Sequence, residues 1–91
     1  MIQECDKLIF KKEYHFSDSS IIEKGSVWLV NYLDEDNKTC RLLESVNPDQ
    51  GWIGFHYETD APGKYSKYYT NNLWNYVETK TQRAKRIINE H

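Results

Sequence analysis

Apolar and polar residues alternate from the first third of the chain. Residues 7–16, KLIFKKEYHF, place Leu8, Phe10, Tyr14 and Phe16 on one face. A period of two residues is typical of a half-buried strand, because successive side chains on a strand point to opposite faces. The pattern therefore predicts a first strand over residues 7–16.

The most apolar stretch, VWLVNYL at residues 27–33, follows the turn residue Gly25. Trp28, Val30 and Tyr32 fall on one face of a strand, and the opposite face is apolar as well. Strands with two apolar faces are central in a sheet or strongly curved. We expect one of these two arrangements for residues 27–33.

Further strands follow at short intervals. TCRLLES at residues 39–45 returns across a polar loop, with Cys40 and Leu42 on one face, and WIGFHYE at residues 52–58 comes after a Pro-Gly turn. YSKYY at residues 65–69 is a candidate edge strand whose lysine would oppose edge-to-edge pairing. The chain up to about residue 70 is thus predicted to form four to five antiparallel strands.

Gly54 stands inside one of these predicted strands. Glycine weakens a strand and commonly marks a bulge or a point where another stretch of backbone crosses closely. We expect one of these two features at Gly54.

The spacing of apolar residues changes near the C-terminus. From residue 71 the apolar positions are separated by three, four and seven residues, a pattern that predicts an amphipathic helix over about 71–90. Residues 78–83 are weakly apolar, which leaves open a division into two helical pieces. The fold class predicted is mainly β (α+β), in a single domain at residues 1–91 with a barrel over about 7–70.

The composition supports a small β-rich domain. The chain has 91 residues, of which 38% are hydrophobic and 29% charged, as in folded proteins. Aromatic residues make up 14%, with seven Tyr and three Trp, and such residues favour strands. A chain of this length buries a thin core, so we expect no large active-site cavity.

The charge is unevenly distributed, although the net charge of −2 indicates no class of partner. Residues 34–60 carry seven acids against two bases, and residues 80–91 carry four bases against one acid. Two cysteines, no signal-like segment and no long apolar run predict a cytoplasmic protein with free thiols and no membrane association.

Several of these segments together resemble a known family. KGSVW opening a long strand, a GWIGF strand and a closing LWNYVE turn are similar to small SH3-like β-barrels in short uncharacterised proteins of Gram-positive bacteria and their phages. In those barrels a Lys-Gly pair, here Lys24 and Gly25, precedes an aromatic-rich strand. A Leu-x-x-aromatic turn, here Leu73 and Tyr76, plugs the barrel end. The resemblance covers residues 7–78 and implies a non-enzymatic binding module, often from a mobile element.

The residues with catalytic or metal-binding chemistry are few. His15, His56, His91, Cys5 and Cys40 are the soft ligands, and their spacing matches no metal motif, so we predict no metal and no cofactor. A Cys40–His56 pair is the one candidate for nucleophilic catalysis, but Cys40 continues the face of Leu42 and is better explained as core. We expect the protein not to be an enzyme.

Aromatic residues form the leading candidate binding surface. A barrel this small lacks the volume to bury all its large rings, so some are expected on the surface, where Tyr and Trp commonly anchor protein interfaces. The sequence therefore predicts binding to a protein partner, or self-association. The residues proposed for this contact are Trp52, Tyr57, Tyr65, Tyr68, Tyr69 and Trp74.

Two alternative functions would depend on charged residues instead of aromatic rings. The basic segment KTQRAKR could follow a nucleic-acid backbone through Lys80, Arg83, Lys85 and Arg86, although a pI near 5.9 is low for such a module. The acidic residues 34–36, with further acids up to Asp60, could instead mimic phosphate and inhibit a nucleic-acid-binding protein of a host.

Overall fold

The structure is a computed structural model, and it describes residues 2–15, 21–58, 69–70 and 72–89, except for the side chain of residue 50. The strands are β1 (Lys7–Phe10), β2 (Tyr14–His15), β3 (Ile21–Ile22), β4 (Val27–Asp34), β5 (Thr39–Glu44), β6 (Trp52–His56), β7 (Tyr69–Thr70) and β8 (Val77–Glu78). The helix α1 spans Lys80–Asn89, and single 3-10 turns lie at Pro48–Gln50 and Leu73–Asn75.

Six strands form one sheet in the order β7-β6-β5-β4-β1-β8. The pairs between β1, β4, β5, β6 and β8 are antiparallel, whereas β6 and β7 are parallel. The two short strands β2 and β3 pair with each other in a separate ladder. The predicted mainly β fold with a C-terminal helix is confirmed at this level.

The large sheet curls into a half-barrel. Val30 pairs with Leu42 and Tyr32 with Arg41, so Asn31 is an extra residue that bulges from β4 and increases the local twist. Side chains from the two halves of the sheet meet across the core. The ring centroids of Phe10 and Phe55 are 6.3 Å apart.

Polar contacts also span the interior of the curl. The hydroxyl oxygens of Tyr14 and Thr70 are 2.7 Å apart, and Trp74 Nε1 donates to the carbonyl oxygen of Tyr57. Within the described residues, no backbone pairing joins β7 to β8, so the closed SH3-like barrel is not confirmed. The two hydrogen bonds instead join β2 to β7 and the Leu73–Asn75 turn to the residue that follows β6.

The core lies on the concave face of the sheet. On β5 the side chains of Cys40 and Leu42 are buried and Arg41 and Leu43 are half-buried on the opposite face, as the alternation predicts. Burial raises the pKa of the Cys40 thiol to about 12. The largest fully buried side chains are Trp28, Phe10, Phe55, Leu8, Leu42, Leu73, Val30 and Val77.

The first predicted strand is divided in two. β1 ends at Phe10, and the chain bends at residues 11–12 before β2 begins. At this point the backbone forms hydrogen bonds with residues near β8 and β4. The N–H of Lys11 donates to the carbonyl of Tyr76, and the carbonyl of Phe10 accepts from the N–H of Gly25. The alternation of apolar and polar residues continues through this bend, so the sequence pattern gives no sign of it.

The predicted helix over about 71–90 begins later than expected, at Lys80. Leu73 lies in a 3-10 turn, in which side chains three residues apart share a face, as in the apolar pattern. Val77 and Glu78 form a strand that pairs with β1. The helix starts after Thr79, whose hydroxyl accepts from Gln82 N–H at 3.1 Å while Gln82 Oε1 accepts from Thr79 N–H at 2.9 Å. This reciprocal capping box fixes the helix start. No helix in the described segments combines the length and apolar character needed to cross a membrane.

Candidate functional site

Aromatic side chains and an arginine gather on the convex face of the sheet. The strand register aligns Tyr32 on β4, Arg41 on β5, Gly54 on β6 and Tyr69 on β7 in one row. Trp52 lies two residues from Gly54 and so shares this face. We call Tyr32, Arg41, Trp52 and Tyr69 the outer patch.

The guanidinium of Arg41 lies between two aromatic rings. Its Cζ is 4.9 Å from the centroid of Tyr32 and 4.4 Å from the centroid of Trp52. Both distances are within the range of cation–π attraction. Arg41 Nε also donates a hydrogen bond of 3.1 Å to the hydroxyl of Tyr69. These three contacts hold the guanidinium in a defined orientation.

Gly54 provides the space for this arrangement. The ring of Tyr69 lies over Gly54 and is tilted by 32° against Trp52, with centroids 5.8 Å apart. A Cβ atom at Gly54 would lie 2.7 Å from Tyr69 Cε1 and 2.9 Å from Trp52 Cζ3, closer than real side chains allow. The group that requires a glycine at position 54 is therefore an aromatic side chain, and not the bulge or backbone crossing that the sequence predicts.

The outer patch is accessible to a partner. The side chains of Tyr32 and Trp52 are 45% and 44% exposed, and Arg41 is half-buried. In the neighbouring row, Leu29 pairs with Leu43, which pairs with Trp52, and both leucines are half-buried. Trp, Tyr and Arg beside apolar side chains are the residues that most often dominate binding energy at protein interfaces.

His56 lies at one border of the patch. Its ring meets Tyr69 edge to face with centroids 5.8 Å apart, and burial lowers the pKa of His56. Cys40 points into the core, whereas His56 is on the convex face next to the core residue Phe55. The two residues are on opposite faces of the sheet, so they do not form a nucleophile–base pair.

The six predicted partner-binding rings do not form one surface. Trp52 and Tyr69 belong to the outer patch, whereas Tyr57 and Trp74 are half-buried against the core. The indole of Trp74 donates to the Tyr57 carbonyl at 3.1 Å, and burial with nearby carboxylates raises the pKa of the Tyr57 phenol. Tyr65 and Tyr68 lie outside the described residues.

Tyr32 and Arg41 were absent from the predicted site. Strict alternation placed Tyr32 on the same face as Val30, and this assignment is wrong because the bulge at Asn31 shifts Tyr32 to the opposite, convex face. Arg41 lies on the face of β5 opposite the buried Cys40 and Leu42, but its sequence neighbours do not reveal the rings on adjacent strands. The signal that could have found the site is a lone arginine on a central apolar strand.

The basic residues of α1 differ in whether they form an ion pair within the fold. Arg86 forms a two-point ion pair with Glu78, with Nε–Oε2 at 3.0 Å and Nη2–Oε1 at 2.7 Å. The Glu78 residue is 4% exposed, and the hydrogen bonds from Arg86 lower the pKa of its carboxyl. Lys80, Arg83 and Lys85 are exposed. Arg86 therefore attaches the helix to the sheet, whereas the other three could contact a ligand.

Asp34 in the acidic hairpin forms the turn itself. Its Oδ1 accepts from the N–H groups of Asp36 and Asn37, and its Oδ2 accepts from Asn37 Nδ2 at 2.8 Å. These hydrogen bonds, most strongly that of the Asn37 side chain, keep the pKa of Asp34 below its usual range. Glu35 and Asp36 are exposed, and Asp60 lies outside the described residues.

In the part of the chain that the structure describes, no three His, Cys, Asp or Glu side chains are grouped to hold a metal ion. Comparison of the chain with known proteins yields no matching family model, no matching curated protein and no matching solved structure.

Proposed function

We propose that this protein is a small, non-enzymatic binding module that engages a protein partner through the outer patch. The observation that carries the proposal is the fixed position of Arg41 between Tyr32 and Trp52 on the convex face of the sheet. Rigid aromatic side chains with large exposed area bind partners at low entropic cost. Self-association through the same surface is the alternative form of this contact.

Two finer expectations belong to this proposal. The curled sheet is compatible with a relationship to SH3-like barrels, and such barrels serve many binding functions without catalysis. A cytoplasmic, phage-related or mobile-element role is the setting that we propose for this module. Genes neighbouring the coding sequence would test that setting.

The substitution Trp52→Ala tests the proposed function. We expect affinity purification from the native host to lose a specific partner, or light scattering to lose a dimer, while the circular dichroism spectrum is unchanged. The control is Ile88→Ala on α1, a position 70% exposed and outside the outer patch. Equal partner recovery from wild type, Trp52→Ala and Ile88→Ala would contradict the proposal.

Nucleic-acid binding by α1 is the second candidate function. It is supported by the exposure of Lys80, Arg83 and Lys85 on a helix that carries no acid between Lys80 and Asn89. The ion pair of Arg86 with Glu78 reduces the charge available for phosphates. Affinity for DNA or RNA that falls steeply with salt would favour this candidate, whereas no binding at low ionic strength would eliminate it.

Phosphate mimicry by the acidic hairpin stays a prediction. Glu35 and Asp36 are exposed, but Asp34 is engaged in its own turn. Competition between the protein and DNA for a host nucleic-acid-binding protein would be its test.

A further inference from the structure

The guanidinium of Arg41 has hydrogen-bonding capacity beyond its contacts in the patch. An arginine side chain carries five N–H donors in a planar fork. Arg41 Nε uses one of them for the hydroxyl of Tyr69. In residues 2–15, 21–58, 69–70 and 72–89, no acceptor is bonded to its two terminal amino groups. These groups can therefore form a two-point contact with an external oxyanion.

Arg41 carries a charge that no carboxylate in the described part of the chain compensates. Among the described residues Arg41 takes part in no ion pair, and its partners Tyr32, Trp52 and Tyr69 are neutral. Asp34, which pairs with Thr39 at the end of β4, directs its carboxylate oxygens to the hairpin turn. A partner that brings a negative charge would complement this surface.

The surface next to Arg41 is apolar on one side. Leu43 follows Arg41 by two residues on β5 and lies between Leu29 and Trp52 in the strand register. Side chains two residues apart on one strand are about 7 Å apart on the same face. A peptide segment can therefore cover Leu43 with an apolar side chain while an adjacent acid reaches Arg41.

We infer that the outer patch recognises a peptide segment of a partner protein in which an Asp or Glu is flanked by apolar residues. The carboxylate pairs with the terminal amino groups of Arg41, and the apolar side chains cover Leu29, Leu43 and Trp52. This inference rests on the proposed function and names the chemistry of the partner. Arginine suits this role because its fork matches the two oxygens of a carboxylate.

The observations favour a peptide over a nucleic acid at this surface. A phosphate backbone is bound by several cations along its path, whereas the outer patch contains one. One face each of Tyr32 and Trp52 is already covered by the guanidinium, which reduces the ring area available for base stacking. The apolar row beside Arg41 matches side chains better than it matches phosphates.

Selection from a library of random linear peptides tests the inference. The library is displayed to the full-length chain, to Trp52→Ala, to Arg41→Gln and to the control Lys24→Gln, an exposed lysine outside every proposed binding site. We expect wild type and Lys24→Gln to enrich peptides with one Asp or Glu flanked by apolar residues. We expect Arg41→Gln to lose the enrichment of the acid.

A double-mutant cycle on the best peptide then isolates the ion pair. Arg41→Gln should weaken its binding by about tenfold or more, because hydrogen bonds to charged groups contribute strongly. Replacing the acid of the peptide by its amide should weaken binding to wild type by a similar factor and hardly change binding to Arg41→Gln. Arg41→Lys, which keeps the charge but lacks the fork, should also weaken binding and serves as the second variant if Arg41→Gln is poorly folded.

The outcomes separate the inference from the proposed function. Enriched peptides without an acid, or the same acid enriched by Arg41→Gln, would overturn the inference and leave the protein-binding function intact. Absence of any peptide that depends on Trp52 would overturn both. Displacement of the selected peptides by oligothymidine with a steep salt dependence would assign the surface to nucleic acid and overturn the inference.

Discussion

Arg41 and Arg86 are both half-buried, yet they belong to regions of different character. Arg86 links α1 to the sheet through the buried carboxylate of Glu78, and in the described residues no side chain of α1 is itself buried. Arg41 contacts two partly exposed rings and a hydroxyl, and no described carboxylate pairs with it. The first arginine neutralises a charge within the fold, whereas the second presents its charge at the surface.

This difference shows how a local basic pattern can mislead. Four basic residues close together predict that α1 binds an anion, whereas the local pattern around Arg41 predicts only a strand residue opposite the core. The tertiary contacts weaken the case for α1, because Arg86, the most buried basic residue of the helix, is already paired with Glu78. The following substitutions test the contrast between the two regions.

The largest effect is expected from Arg86→Ala. Removing the guanidinium leaves the Glu78 carboxylate buried without its partner, and unpairing a buried charge destabilises proteins by several kcal/mol. Because Arg86 itself is partly exposed, we expect a loss of about 2 kcal/mol in the free energy of unfolding. Urea denaturation measures it, and Arg83→Ala, at an exposed position, should change stability by less than about 0.5 kcal/mol. Equal effects at the two positions would show that the ion pair does not stabilise the fold.

The next effect is expected from Gly54→Ala. The new methyl group would displace the rings of Tyr69 and Trp52, and such overpacking typically costs about 1–3 kcal/mol. Because Trp52 is exposed and Tyr69 is only half-buried, neither ring is enclosed by the core, and we expect a value near the lower end, about 1 kcal/mol. A change in the tryptophan fluorescence spectrum with the helix content preserved would confirm that the outer patch is altered. A spectrum and stability identical to those of wild type would contradict the arrangement around Gly54.

A smaller effect concerns the pH dependence of stability. The pKa of Glu78 is lowered in the folded protein, chiefly by the hydrogen bonds from Arg86, from a usual value of 4.5. Its stabilising contribution is therefore present above that value and is lost as pH falls through the lower pKa of the folded state. Wild type should lose more stability than Glu78→Gln when the pH is reduced from about 6 to about 3. Parallel curves for the two proteins would contradict this role of Glu78.

The smallest effect on stability is expected from Tyr32→Ala. Its ring is nearly half exposed, so the main loss is the contact with Arg41, about 0.5–1 kcal/mol. Binding of a partner should nevertheless fall by about tenfold or more, since rings of this kind dominate interface energies. The control Ile88→Ala should change neither quantity. A stability loss of several kcal/mol alongside the loss of binding would instead identify Tyr32 as a structural residue.

Much of the strand content could be predicted, because alternation is a local property of the chain. The central strands β4, β5 and β6 and the buried face of β5 agree with the pattern. The predicted face is wrong at Tyr32, because one inserted residue in β4 moves its side chain to the other side of the sheet. The predicted helix is wrong at Val77, because this residue pairs with β1 as a strand despite its helical spacing. Both failures occur where a neighbouring strand decides the conformation.

The candidate site was predictable only in part. The surplus of large rings over the volume of a small core predicts that some rings lie at the surface. Trp52 and Tyr69 lie in the outer patch, whereas Tyr57 and Trp74, predicted for the same reason, pack against the core. Residue volume indicates that some rings are exposed but does not identify them.

Hydrophobic periodicity is enough to predict a small, β-rich fold with a C-terminal helix, because it indicates which face of each element is buried. The meeting of Tyr32, Arg41, Trp52 and Tyr69 on one face, and the pairing of Arg86 with Glu78, emerge only when the chain is folded. Lateral neighbours in a sheet are set by strand order, register and bulges. These depend on contacts between residues that are far apart along the chain.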